Sequence, residues 1–148
     1  MDNNHQQIES FFNRYADAFN QAINGERSDV EETASFFADS IIAVNPDGFN
    51  CGKNDEQLRK MILQGYAFYR NIGIISMEII SKQITALDDY HTLTKVHWKS
   101  RFIKKDNTKV NIEFDVIYLI QTKSNDHKIF AYITSDEQKA LKENGLID

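Results

Sequence analysis

Two hydrophobic periods divide the chain, a helical one before Gly73 and a strand-like one after it. Apolar residues in the first segment recur at helical spacing, and Gly25 follows them where a helix end favours a left-handed residue. The apolar positions are Ile8, Phe11, Phe12, Tyr15, Phe19 and Ile23. This spacing predicts a first helix that ends near Gly25.

Two more helices are predicted before Gly73. Ser28 and Glu31 have the spacing of a capping box, which indicates the start of a short helix. Its apolar face consists of Val30, Ala34 and Phe37. The third helix is predicted from about Asn54 to Gly73. Its apolar positions are Leu58, Met61, Ile62, Tyr66 and Tyr69.

After Gly73 apolar and polar residues alternate, which is typical of strands. The predicted strands are Ile41 to Val44, which precedes Gly73, and Ile74 to Leu87, Tyr90 to Phe102, Val110 to Gln121 and Lys128 to Thr134, which follow it. The third of them has one face made of Thr92, Thr94, Val96, Trp98 and Ser100 and another made of Lys95, His97, Lys99 and Arg101. Ser135 and Gln138 then predict a terminal helix that ends near Gly145.

Helices first and long antiparallel strands afterwards predict an α+β fold. We expect a curved antiparallel sheet packed on three N-terminal helices, with a short C-terminal helix. No linker, repeat or low-complexity tract interrupts the sequence, so residues 1–148 are expected to form a single domain.

The strand from Val110 to Gln121 is apolar on both faces between Phe114 and Ile120. An antiparallel strand with one solvated face does not have this pattern. Because helices cover one side of the sheet, another element must cover the opposite side. The sequence therefore predicts a homodimer that forms through the sheet.

Composition narrows the class of protein. The chain has 148 residues, of which 41% are hydrophobic, and its formal net charge is −5. This acidic balance argues against a nucleic-acid partner, which requires a basic surface. The longest apolar run, Val116 to Ile120, is too short to cross a membrane, and the polar N-terminus does not have the pattern of a signal peptide. A cytoplasmic protein is expected.

Neither a metal site nor a cofactor is predicted. Cys51 is the only cysteine, and the four histidines lack the spacing of metal ligands. The sequence contains no nucleophile elbow, phosphate-binding loop or dinucleotide fingerprint. These absences leave a pocket for a small molecule or a protein-interaction surface as the classes of site to consider.

Several short motifs occur in a recognisable order. They are Arg14-Tyr15, Phe36-Phe37-Ala38-Asp39, Val44-Asn45-Pro46-Asp47-Gly48, Trp98 and Phe114-Asp115-Val116. In this order the chain resembles the nuclear transport factor 2-like superfamily, which includes ketosteroid isomerase, scytalone dehydratase and the SnoaL-like cyclases. The resemblance implies a cone-shaped sheet around an apolar pocket, commonly in dimers. It does not imply a particular reaction, since one fold hosts many functions.

The resemblance also implies three candidate catalytic positions. In ketosteroid isomerase an Asp base moves a proton, and a Tyr and a protonated Asp stabilise the oxyanion. Tyr15 and Asp115 match the oxyanion pair, whereas Asn45 stands at the position of the base. An amide cannot act as a general base, so this mechanism would need Asp39 or Asp47 instead.

Each candidate also has a purely structural interpretation. Asp115 is either a desolvated acid that donates to a ligand or an ionised acid paired with a neighbouring cation. Tyr15 and Trp98 either contact a ligand or belong to ordinary core packing. Phe37, Met61 and Tyr66 are pocket-wall candidates through the resemblance alone, because their spacing is equally typical of core residues.

Two functions follow as hypotheses. The first is a protein that binds a small apolar or aromatic molecule, with Tyr15 and Asp115 holding one oxygen. The second is an isomerase, dehydratase or cyclase that acts by proton transfer on a small apolar carbonyl or polyketide-like substrate. A protein-interaction module with a filled cavity is a third alternative. Asn45 favours binding over proton abstraction.

Overall fold

Four helices and six strands make up the computed structural model, which describes residues 2–25 and 30–148. The helices are α1 (Asp2–Ile23), α2 (Val30–Ser35), α3 (Glu56–Asn71) and α4 (Glu137–Glu143). The strands are β1 (Phe37–Asn45), β2 (Gly48–Lys53), β3 (Ile74–Ala86), β4 (His91–Ile103), β5 (Lys109–Lys123) and β6 (Asp126–Thr134). The predicted capping box cannot be compared with the structure, because Ser28 lies outside the described residues.

All six strands belong to one curved sheet with the order β2-β1-β6-β5-β4-β3. Neighbouring strands are antiparallel except β1 and β6, which are parallel. The predicted α+β class is confirmed, with helices leading the chain and a short helix at its C-terminal end. The parallel pair was not predicted, because alternation along a strand does not indicate which strand it will join.

The start of the sheet differs from the prediction. Phe37 was predicted on a helix, but α2 ends at Ser35 and Phe37 is the first residue of β1. Its neighbour Phe36 accepts a hydrogen bond from the backbone N of Ile129 at 2.9 Å, which begins the association with β6. Pairing with the sheet thus replaces helix continuation at this aromatic pair.

A strand that the pattern did not predict follows at once. All residues of β2 are exposed, so no alternation marks it in the sequence. Among the described strands its one partner is β1, from Asn45 opposite Gly48 to Ser40 opposite Lys53. The hairpin forms one edge of the sheet.

The main core lies between α1 and the inner face of β4, β5 and β6. Ile8 and Phe12 of α1 are fully buried, as are Val96 and Ile120 in the strands they face. The predicted inner face of β4 is confirmed, since all five of its residues are buried: Thr92, Thr94, Val96, Trp98 and Ser100. Burial of this stripe gives the helix layer its attachment to the sheet.

Two local contacts join the helices to the sheet edge. The Asn20 side chain of α1 donates to the carbonyl of Met77 at 2.9 Å and accepts from the backbone N of Met77 at 2.8 Å. Gly73 follows α3 with a φ of +96°, and its carbonyl accepts from the backbone N of Ile103 at 2.9 Å. A Cβ at Gly73 would lie 2.1 Å from the Ile103 carbonyl oxygen, so this close approach requires glycine.

Candidate ligand-binding site

A cavity of about 300 Å³, which we call the cone cavity, lies between the inner face of the sheet and the helices α3 and α4. Strands β3, β4 and β5 form its floor. The C-terminal helix α4 covers one side through Ala140 and Leu141, and Tyr69 in the last turns of α3 closes another. Cavities of about this size upward are typical of small-molecule sites.

The floor of the cone cavity is apolar because the strands present alternate residues to it. Ile112, Phe114 and Val116 of β5 line it, as do Ile74 and Met77 of β3. Met77 is held in place by the backbone contacts with Asn20 described above. The cavity therefore has strand residues beneath it and helix residues at its rim.

An acid and a phenol meet at the rim. The Tyr69 hydroxyl donates a hydrogen bond to Oε2 of Glu137, the first residue of α4. Burial raises the pKa of Tyr69, and the nearby Glu137 carboxylate raises it further. The side chain of Asp136 accepts from the backbone N of Lys139 at 3.1 Å, and this N-cap fixes the start of α4 beside the cavity.

Besides Tyr69, four hydroxyl side chains line the cavity: Ser100, Tyr132, Thr134 and Ser135. Ser100 Oγ donates to the carbonyl of Ile112 at 3.2 Å, and Thr134 Oγ1 donates to the carbonyl of Val44 at 3.4 Å. Tyr132 also lines the cavity, and burial raises the pKa of its hydroxyl. Most of the surface is apolar, and these few polar groups are placed to orient a ligand.

A second hollow, the α3 groove, lies between the β1–β2 hairpin and α3 and is more open. Phe37, Met61 and Ile62 line it, and Tyr132 lines both hollows. Met61 is 58% exposed. Phe37 and Met61 thus border a hollow, although it is the groove and not the cone cavity.

Tyr15 lies in the packed core and does not line either hollow. Its ring contacts those of Phe12, Phe36, Phe37, Trp98 and Tyr118. Burial raises the pKa of Tyr15 well above its ordinary value, and the nearby Tyr118 raises it further. The core interpretation of this residue matches the structure, whereas direct contact with a ligand in the cone cavity does not.

Two predicted pocket-wall residues are also core residues. Trp98 is 1% exposed, and its Nε1 donates to the Tyr118 hydroxyl at 3.2 Å. Tyr66 is 4% exposed, and its hydroxyl lies 2.6 Å from Oγ1 of Thr33. Neither lines the cone cavity or the α3 groove, which agrees with the core interpretation that the sequence left open for both residues.

The expectation that Asp115 is buried in the cavity is wrong. Its side chain is 46% exposed on the outer face of the sheet, opposite the cavity. Oδ1 of Asp115 lies 2.7 Å from Nδ1 of His97, and Oδ2 lies 3.8 Å from Nζ of Lys95. The physical reason is strand register: Asp115 pairs with His97, so it shares the face of that residue.

The outer face carries a charged cluster around His97. Its Nε2 lies 2.8 Å from Oε1 of Glu113, while Nδ1 faces Asp115. These two hydrogen bonds, first that with Glu113 and then that with Asp115, raise the pKa of His97. Asp115 therefore belongs to an ion-paired surface, which is the structural alternative considered for it.

Asn45 does not occupy a catalytic position in the cavity. It is exposed at the end of β1, where its Oδ1 accepts from the backbone N of Asp47 at 2.8 Å. Asp47 lies in the same exposed turn, and Asp39 is exposed in β1. None of the three lines the cone cavity, so neither the matched position nor the two substitute acids can serve as a base there.

The chain's described part contains no group of three or more His, Cys, Asp or Glu side chains arranged to hold a metal ion. Its one cysteine, Cys51, is exposed. Among the helices of residues 2–25 and 30–148, none is both long and apolar enough to span a bilayer.

The sequence did not identify Tyr69, Tyr132 and Glu137 as site residues. Tyr69 was recognised as an apolar position of the third helix, and Glu137 lay within the predicted terminal helix. Nothing local indicates that the two come together, since they are 68 positions apart in the chain. Only the packing of α4 across the sheet unites them.

Comparison with known proteins places the chain among proteins of one fold. Solved structures with similar folds include an NTF2-like protein with a cystatin-like fold from Novosphingobium aromaticivorans. That protein has a TM-score of 0.67 and 10% identity over 97% of this chain and 88% of its own. An NTF-2 like protein from Shewanella oneidensis has a TM-score of 0.66 and 13% identity over 89% of this chain and 98% of its own.

A ketosteroid isomerase-like protein from Erwinia carotovora atroseptica is also similar. Its TM-score is 0.60, with 14% identity over 86% of this chain and 92% of its own. These identities support a shared fold and no particular activity. No curated protein sequence matches the chain. A family model described as NTF2-like protein (DUF6841) matches residues 5–137, and the chain therefore belongs to this NTF2-like family.

Proposed function

We propose that this protein binds a small apolar or aromatic molecule in the cone cavity. The observation that supports this function is the cavity itself, which has a volume of about 300 Å³ and a lining of Ile, Met and Phe side chains with few polar groups. This combination of an apolar wall and sparse polar points is typical of small-molecule sites. The polar pair of the site is Tyr69 and Glu137 in place of Tyr15 and Asp115.

The direct test is calorimetric titration with hydroxymethylnaphthalene, a flat aromatic molecule with one polar end. Ala140 lines the cavity from α4, so Ala140→Phe fills part of it. Ala67→Phe is the matched control, because Ala67 is exposed on α3 and lines no hollow described above. We expect binding by the wild type and the control and at least tenfold weaker binding by Ala140→Phe. Equal binding by all three proteins, or none by the wild type, contradicts the proposal.

A proton-transfer enzyme is the second candidate, and Glu137 is the observation that favours it. A carboxylate at the rim of an apolar cavity is within the range of groups that act as general bases. The test follows deuterium incorporation from heavy water into the α position of tetralone, a bicyclic ketone. Loss of exchange in Glu137→Gln, but not in Glu143→Gln on the same helix, supports the enzyme. An absence of exchange with the wild type contradicts it.

A second copy of the chain is the proposed partner. The outer face of the sheet, opposite the helices, carries the exposed apolar residues Ile42, Phe49 and Ile133. Ile117 and Leu119 of β5 continue this patch and are only partly buried. Exposed apolar patches of this kind favour protein association.

Analytical ultracentrifugation tests the dimer. We expect the wild type to sediment as a dimer and Ile133→Lys as a monomer, since the change places a charge in the patch. Leu87→Lys is the control, because Leu87 is 54% exposed next to a turn outside the patch. A monomeric wild type, or a dimeric Ile133→Lys, contradicts association through this face.

A further inference from the structure

The polar side chains of the cone cavity have already used most of their hydrogen-bond donors. Ser100 donates to the Ile112 carbonyl, Thr134 donates to the Val44 carbonyl, and Tyr69 donates to Glu137. A hydroxyl has a single hydrogen but two lone pairs. What these groups still offer to a ligand is therefore acceptor capacity.

The charge of the lining has the same consequence. Glu137 is the only charged side chain among the described residues that line the cavity, and no Lys, Arg or His lines it. An anion placed there would lose its hydration in an apolar site and would also meet a carboxylate. Both effects disfavour a negatively charged ligand.

Two hydroxyls in the lining keep a more flexible role. Tyr132 and Ser135 can each donate or accept, and no side-chain hydrogen bond occupies either among the residues described. A ligand hydroxyl can accept from Tyr132 and donate to Ser100 or Glu137. A ligand amine can donate to Glu137. Among the lining side chains, a ligand carboxylate could accept only from these two hydroxyls, and it would face Glu137 without a compensating cation.

We infer that the cone cavity is selective for an apolar molecule whose polar end donates hydrogen bonds and carries no negative charge. An alcohol, a phenol or an amine meets this requirement, and the corresponding carboxylic acid does not. This inference rests on the proposed binding function and specifies the chemical class of its ligand. Glu137 is its specificity-determining residue, supported by Ser100.

Three probes with one hydrocarbon body test the selectivity at neutral pH: hydroxymethylnaphthalene, aminomethylnaphthalene and naphthalenecarboxylate. We expect the alcohol and the amine to bind the wild type at least tenfold more tightly than the carboxylate. Glu137→Gln removes the charge and keeps an acceptor for Tyr69. The affinities of this variant for the amine and the carboxylate should therefore differ by less than threefold. Glu143→Gln should leave the gap unchanged, because Glu143 pairs with Lys139 and does not line the cavity.

The possible outcomes distinguish a failure of the proposed selectivity from a failure of the proposed binding function. If the carboxylate binds as tightly as the alcohol and Glu137→Gln changes nothing, the selectivity is overturned while binding stands. If no probe binds, the proposed function fails and the selectivity fails with it. If Glu143→Gln narrows the gap as much as Glu137→Gln does, overall charge decides the preference and the assignment to Glu137 is wrong.

Discussion

The inner and outer faces of β4 and β5 differ in burial, chemistry and covering, although their residues alternate along the same two strands. Val96 and Trp98 on the inner face are at most 1% exposed beneath the helices. His97 lies between them in the sequence but on the outer face, where it is bound to Asp115 and Glu113. The inner face therefore holds the core and the cavity, whereas the outer face holds ion pairs and an apolar patch.

This difference indicates which face can be changed without unfolding the protein. Buried apolar side chains on the inner face contribute directly to the free energy of unfolding. Exposed ion pairs contribute little, because water and salt screen them. Substitutions on the two faces should thus differ in the property that they change: stability and ligand binding inside, association and pH response outside.

The largest expected effect is on the inner face. Trp98→Ala removes a buried ring and its hydrogen bond to Tyr118, and we expect it to lower the free energy of unfolding by about 3–5 kcal/mol. Lys99→Ala, one residue away on the outer face, should cause only a small change. Urea denaturation of both variants measures the difference in their stability. Equal shifts of the two urea midpoints would contradict the prediction.

A smaller effect is expected where the helix layer joins the sheet. Gly73→Ala places a Cβ against the Ile103 carbonyl at positive φ, so it should destabilise the protein by about 1–3 kcal/mol. Gly65→Ala is the matched control. Gly65 lies inside α3 with nothing near its added Cβ, and the change should stabilise the helix by up to about 1 kcal/mol. Thermal denaturation checks that the two substitutions change stability in opposite directions. A stabilising Gly73→Ala would disprove the close approach of residue 73 to the Ile103 carbonyl.

Tyr15→Phe tests whether Tyr15 contributes to core packing or to ligand binding. The change removes one hydroxyl from the core beside Tyr118 and should alter the free energy of unfolding by no more than about 1.5 kcal/mol. Ligand affinity should stay the same, because Tyr15 does not line the cone cavity. Tyr132→Phe should instead weaken binding of hydroxymethylnaphthalene. Denaturation and ligand titration of both variants check this prediction. Weaker binding by Tyr15→Phe together with unchanged binding by Tyr132→Phe would show that Tyr15 belongs to the site.

The smallest expected effects are pH responses of opposite sign. Burial lowers the pKa of His127 below 6.5, so its contribution to stability should be lost as the pH falls below 6.5. Hydrogen bonds with Glu113 and Asp115 raise the pKa of His97 above 6.5, so its contribution is complete below 6.5 and is lost as the pH rises through the raised pKa.

Urea midpoints over a pH series measure both responses. His127→Asn should flatten the stability profile on the acid side of 6.5, and His97→Gln should flatten it on the alkaline side. Each variant is the control for the other. Profiles that change on the same side in both variants would show that the two faces do not differ in their proton binding.

Alternation along the sequence predicted the two faces of β4 correctly but did not predict the face of Asp115. The register that pairs Asp115 with His97 depends on the loop 104–108 between Ile103 and Lys109. A loop with one residue more or fewer would move every side chain of β5 to the other face. The sequence indicates a turn at this place but does not specify its length.

The candidate site could be predicted only in its general chemistry. The resemblance led to the expectation of an apolar cavity with a tyrosine and an acid, and the structure supplies Tyr69 and Glu137 at the rim of such a cavity. Individual residues could not be identified, because α4 reaches the cavity through long-range packing of Leu141. Helical spacing identified Tyr69 and Tyr66 equally, although only Tyr69 lines the cavity.

Methionine methyl NMR can detect a ligand inside the cone cavity. The chain has three methionines, of which Met77 lines the cone cavity and Met61 lines the α3 groove. With carbon-13 in the methionine methyl groups, titration of hydroxymethylnaphthalene should shift the Met77 signal and leave the Met61 signal in place. A shift of Met61 alone, or of neither signal, would show that the ligand does not occupy the cone cavity.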